Sequence, residues 1–174
     1  MSKMISREWA AVELSPIQME LARRIALARN RPQRQANRLD GVVKGNSLTR
    51  DIEGAEGEIA VAIALGLDTP VESTAALSIS MWDKWKLTPA ATDLPGIDVR
   101  CTTYANGRLL LDYKDKADRP YVLVIKQHPN RFTIAGWCYG REGKQRKYWN
   151  DHLPRPCYAV PQSDLRQEGI PWYV

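Results

Sequence analysis

Histidine and cysteine are scarce in this chain, which contains two histidines and three cysteines in 174 residues. Cys101, Cys138 and Cys157 are an odd number, widely spaced, with no C-x-x-C pair, so neither a disulfide framework nor a zinc finger is expected. His128 and His152 cannot by themselves furnish a histidine-rich metal site. Any metal would sit on oxygen ligands, which favours Mg²⁺ or Mn²⁺. Long apolar runs are missing too: none reaches the ~18 residues of a transmembrane helix. The opening MSKMISREWAAVELS carries charges inside its apolar stretch and does not read as a signal peptide. The expectation is a soluble, cytoplasmic protein with no membrane partner. There is no internal repeat and no low-complexity segment.

The size suits one compact domain. A net charge of +5 and a pI near 9.2 point weakly to a polyanionic partner. The distribution says more: Leu21 to Arg38 holds six arginines and no acid. This is either a solvated helix face running into a loop, or a phosphate-contacting arm that includes Arg23, Arg24, Arg31, Arg34 and Arg38.

Ser15-Pro16 suits an N-cap followed by proline at the first helical position, and opens a helix to about Asn30 that Pro32 ends. Residues 31–50 read as a long polar loop. A second helix covers about Ile52 to Leu65; it is nearly all apolar after Glu58, with Gly66 as its stop. Strands are expected at Leu77–Trp82, Ile97–Tyr104, Arg108–Tyr113, Tyr121–Lys126, Phe132–Tyr139 and Cys157–Pro161. Asn106-Gly107 marks a hairpin between the second and third of these. Ser163–Gly169 reads as a small terminal helix. The order implies an α/β or α+β domain with a mixed sheet.

The stretch TDLPGIDVRCT, Thr92 to Thr102, carries the most chemistry. Pro95-Gly96 suits the centre of a type II turn. With Leu94 and Ile97 flanking it, Asp93 and Asp98 fall opposite each other, with Cβ atoms about 5 Å apart. Like charges placed so are unfavourable without a cation between them. Strand alternation puts Asp98, Arg100 and Thr102 on one face, and Ile97, Val99 and Cys101 on the other. The alternative is a solvated strand face. Glu58 stands at the edge of the apolar part of its helix. It is either a first-turn residue stabilised by the helix dipole or a third acid of the site.

A Gly-x-Glu before an alanine-rich helix, then Asp93, then Asp98-Val99-Arg100 on a strand, resembles the PD-(D/E)xK nuclease superfamily, the restriction-endonuclease-like fold. Residues 52–160 resemble small phage and prophage proteins of that superfamily. The resemblance implies a mixed sheet of four to five strands flanked by helices over residues 51–174. Residues 1–50 add an N-terminal helix and basic loop. It implies a Mg²⁺- or Mn²⁺-dependent deoxyribonuclease, cytoplasmic in a bacterial host, with Asp93, Asp98 and Glu58 on the metal and Arg100 on the phosphate. Two departures stand out. Thr92 replaces the motif proline, and Arg100 replaces the usual lysine. Arginine does not lose its proton, so the base would be metal-bound water or Glu58. The alternative is an inactive relative that binds DNA or a host protein.

Gly136–Trp149 ends a strand in a glycine-containing basic loop that is not a Walker A loop. Arg141, Lys144, Arg146 and Lys147, beside Tyr148 and Trp149, form either a phosphate-tracking surface or a solvated turn. Lys144 is the one lysine expected to be able to enter the acid site. Cys101 reads as a structural thiol.

Overall fold

The computed structural model describes residues 11–37, 47–67, 93–94 and 96–171. In chain order these form β1 (Val12–Glu13), α1 (Pro16–Asn37), α2 (Ser47–Leu65), β2 (Asp98–Thr102), β3 (Leu109–Leu111), β4 (Pro120–His128), β5 (Arg131–Tyr139), α3 (Gly140–Gly143), β6 (Trp149–Asn150) and β7 (Cys157–Val160). Short 3₁₀ turns cover Arg146–Tyr148 and Gln162–Asp164. The class is mixed α/β, as expected. The expected strand Leu77–Trp82 lies outside the described residues.

The helix ends follow from local chemistry. Ser15 Oγ accepts from Gln18 N at 3.3 Å, and Gln18 Oε1 accepts from Ser15 N at 2.7 Å. This reciprocal capping box fixes the start of α1. Pro32 does not end α1, which continues to Asn37. Proline removes one N–H and crowds the preceding turn, but it leaves the later residues free to resume helical bonding. At the end of α2, Gly66 has φ +67°, Gly66 N donates to Ile63 O, and Leu67 N donates to Ala62 O. Those two bonds make a Schellman stop. The helix begins at Ser47, not Ile52.

The main sheet has the order β1-β5-β4-β2, with β2 parallel to β4 and the other pairs antiparallel. A second sheet has the order β3-β7-β6. Central β4 is buried on both faces, which explains its unbroken apolar run. Its Val122 and Val124 share one core with Val99 of β2, Leu21 and Ile25 of α1, and Ile59 of α2. Its Tyr121, Leu123 and Ile125 pack on Leu109, Leu111 and Val160 of the small sheet. The main sheet thus lies between a helical layer and the small sheet. The expected boundary at residue 50 falls inside α2, and α1 belongs to the same core as α2.

The expected hairpin between β2 and β3 does not form. The turn is present, with Gly107 N donating to Tyr104 O at 2.9 Å. It passes the chain from one sheet to the other, because β3 pairs with β7. Leu109 and Leu111 are buried while Leu110 is exposed, so β3 needs an apolar surface to cover it. The far face of β4 supplies one. The expected terminal helix is replaced by a 3₁₀ turn and an edge contact: Trp137 and Arg166 exchange main-chain bonds of 3.0 and 2.9 Å. Gly136, with φ +138°, makes room for that contact; a Cβ there would lie 2.7 Å from Leu165 Cβ.

Candidate functional site

The turn before β2 forms as its residues require. Leu94 and Ile97 exchange main-chain bonds of 3.0 Å each, and Gly96 has φ +74°. Only glycine takes that φ without strain. Asp93 and Asp98 are thereby drawn together. Asp98 Oδ1 accepts from Asp93 N at 3.3 Å, and Asp93 Oδ2 accepts from Val99 N at 2.9 Å. Arg100 Nη1 lies 4.0 Å from Asp93 Oδ2.

Three further residues join this group, and sequence reasoning missed all of them. Asp98 Oδ2 accepts from Arg119 at 3.0 Å. Arg100 donates to both oxygens of Asp115, at 3.2 and 3.4 Å, and lies 5.3 Å from the ring centroid of Tyr121. Asp115 and Arg119 come from the turn-rich loop between β3 and β4. Asp112 N donates to Asp115 Oδ2, Lys116 N donates to the Tyr121 hydroxyl, and α3 closes on the loop through Gly140 N to Arg119 O and Arg141 N to Ala117 O. A Cβ at Gly140 would lie 2.1 Å from Lys116 O, so that close approach needs glycine. The parallel register, Asp98 beside Tyr121, is what places residues just before β4 against the acid pair. The only sequence signal was a polar turn, DYKDKADR, running into an apolar strand.

The cluster holds three carboxylates (Asp93, Asp98, Asp115) and two guanidiniums (Arg100, Arg119), a net charge of −1 when all are ionised. Burial, and then Asp93 beside it, push the Asp98 carboxyl above its usual range, against the pull of Arg119 and Arg100. Burial, with Asp115 and Asp98 nearby, pushes the Tyr121 hydroxyl up to about 12, so it stays protonated.

Glu58 is buried at 5% exposure on α2. That helix crosses β2 on the strand's Val99–Cys101 face, where a Cβ at Gly57 would lie 2.9 Å from Cys101 Cβ. Among the described residues no group of three or more His, Cys, Asp or Glu is placed to hold a metal ion. The donor types still fit a hard divalent ion: two adjoining carboxylates and one residual negative charge.

Several described residues of the basic segments have partners within the protein. Arg24 pairs with Glu20 at 3.0 Å, and Arg23 lies 4.0 Å from the same residue. Arg31 and Arg34 fall in α1 with side chains outside the described ones, and Arg38 lies outside the described residues. Arg141 stacks on Tyr139 at 4.4 Å, and Lys147 lies 4.5 Å from the Tyr148 ring centre; Arg146 is exposed. Lys144 does not enter the acid pair: its Nζ donates to the carbonyls of Asp115 and Tyr113, bracing the loop from outside. Cys101 is a structural thiol whose pKa burial raises to about 12.

Arg100 also faces a cleft of about 720 Å³, whose other cations are Arg50, Lys114 and Arg155. No protein-family model, curated protein or solved structure matches this chain.

Proposed function

We propose that the chain is a metal-dependent hydrolase of phosphodiester bonds in DNA, with Asp93 and Asp98 as the metal-holding pair. The observation that carries the reading is their side-by-side placement across the Gly96 turn, with a net charge of −1 around them and Arg100 at 4.0 Å. A bound Mg²⁺ or Mn²⁺ would polarise the phosphodiester and lower the pKa of a water. Arg100 offers a fixed charge for the phosphate oxygens, and it is held ready by Asp115 and Tyr121. Asp98 must be ionised to bind a cation. Its raised pKa therefore makes cation affinity fall as pH drops toward the carboxylate range.

The test is incubation of plasmid and linear DNA with Mg²⁺ or Mn²⁺. Asp98→Asn should abolish cleavage, and Asp93→Ala should remove most of it. Arg100→Lys should keep measurable cleavage, whereas Arg100→Ala should lose on the order of 10²-fold. Variants that all cleave as well as the wild type place the chemistry elsewhere.

A second reading, binding without cleavage, is favoured by the Arg119–Asp98 ion pair at 3.0 Å, in which arginine holds the carboxylate that a cation would need. DNA binding that weakens with salt, with no cleavage under any divalent ion, would select it.

A further inference from the structure

We propose that the cleft beside Arg100 binds an unpaired nucleotide, which makes the substrate of the acid site a single-stranded or locally opened nucleic acid. The inference takes its catalytic purpose from the phosphodiester reading above, but the binding it describes needs no metal.

Charge comes first. The cleft is lined by four cations, Arg50, Arg100, Lys114 and Arg155, and by two acids, Asp112 and Asp115, a net of +2. The acids are already spoken for: Asp115 by Arg100 and Asp112 by Arg155. Arg50 and Lys114 are exposed at the cleft, and although Lys114 acts on Asp112 as Arg155 does, two acids do not balance four cations. Arg155 has 79% of its side chain exposed, so it too is open to a second anionic partner.

Part of the lining is apolar. Leu110, Leu153 and Pro154 line the cleft beside the cations, and Leu110 is 45% exposed on β3. Cations alone would suit any phosphate. Cations around aliphatic side chains in a concavity suit a group with a phosphate at one end and a flat apolar ring at the other. In a duplex the bases are stacked inside and only phosphates reach a concave wall. A base must be unpaired to lie on Leu110.

Position supplies the third argument. Arg100 belongs to the cleft and also lies 4.0 Å from Asp93. A nucleotide seated in the cleft would therefore have its connecting phosphate beside Arg100 and the acid pair. The cleft would hold the strand next to the bond that the acids address.

The experiment measures fluorescence anisotropy of labelled oligonucleotides in EDTA, with salt titrations. The probes are single-stranded DNA, single-stranded RNA of the same sequence, and blunt duplex DNA. At least one single strand should bind about tenfold or more tighter than the duplex, and the DNA and RNA arms assign the polymer. Lys114→Ala combined with Arg155→Ala should weaken that binding by about tenfold and reduce the salt slope by roughly 0.7 for each phosphate that is no longer neutralised. Leu110→Ser should weaken binding with the salt slope unchanged. These side chains are on the surface, and unchanged melting curves confirm the fold of each variant. Duplex bound as tightly as single strands, or variants that bind like the wild type, overturn the proposal. Asp98→Asn serves as the separate control. Loss of cleavage there leaves strand binding intact, so failure of the hydrolase reading and failure of this one give different results.

Discussion

Arg119 offers the sharpest test of the electrostatics at the acid pair. Its guanidinium lies 3.0 Å from Asp98, with 15% of the arginine side chain and 11% of the aspartate side chain exposed. Arg119→Met removes the charge and keeps much of the apolar stem. It leaves a desolvated carboxylate beside Asp93. Breaking a buried pair from one side costs about 3–5 kcal/mol, and the partial exposure here brings the expected loss to about 2–4 kcal/mol at pH 7. The pH dependence identifies the cause. Burial and Asp93 already raise the folded-state pKa of Asp98 above its unfolded value, so this group makes the wild type less stable as pH rises through that window. Arg119 opposes the shift by favouring the ionised form. Without it the folded pKa rises further, and the decline with pH becomes longer. The stability gap between wild type and Arg119→Met should therefore be small in acid, where Asp98 is protonated in both, and should grow as pH rises toward 7. Urea unfolding followed by circular dichroism at several pH values measures it. Adding Asp98→Asn to Arg119→Met should recover much of the loss, because the unpaired charge is gone. A gap of equal size at pH 4 and pH 7 would show that Arg119 acts by packing alone, and the charge argument would fail. In the metal reading, Arg119→Met should also bind Mn²⁺ more tightly in calorimetry, because the arginine no longer competes for Asp98.

Three further outcomes are expected. Gly140→Ala places a Cβ 2.1 Å from Lys116 O and should destabilise by about 1–3 kcal/mol while loosening the loop that carries Asp115 and Arg119, read as faster hydrogen exchange there. Lys126→Met strands Glu56, a 2% exposed carboxylate held by Lys126 at 2.5 Å, and should cost about 3 kcal/mol in urea unfolding; pairing it with Glu56→Gln should cost clearly less. Half-buried Cys101 and buried Cys138, with pKa values raised to about 12 and about 11, should react with iodoacetamide at pH 8 far more slowly than a free thiol, and rapid labelling of the native protein would contradict those raised values.

What the sequence determined by itself is local. Ser15-Pro16 starts a helix, Gly66 stops one, and Gly96 lets Leu94 and Ile97 meet in a tight turn, because each depends on backbone preferences and bonds a few residues apart. The adjacency of Asp93 and Asp98 was legible for the same reason: the turn alone fixes it. The strand pattern of β4 and β5 was also legible, since continuous apolar runs and alternation follow from which faces are covered. Partner choice was not. Asn106-Gly107 promised a hairpin, but burial of Leu109 and Leu111 against the far face of β4 outweighed the pairing that the turn would have favoured. With β3 in the other sheet, β2 and β4 pair directly, and their parallel register set Arg119 on Asp98 and Asp115 on Arg100, across 21 and 15 residues of chain. No local rule encodes contacts at such separations. The tertiary structure decided which charges neutralise which, and hence what charge remains at the acid pair, because the energy of an ion depends on the distance and burial of its partners and not on their place in the chain.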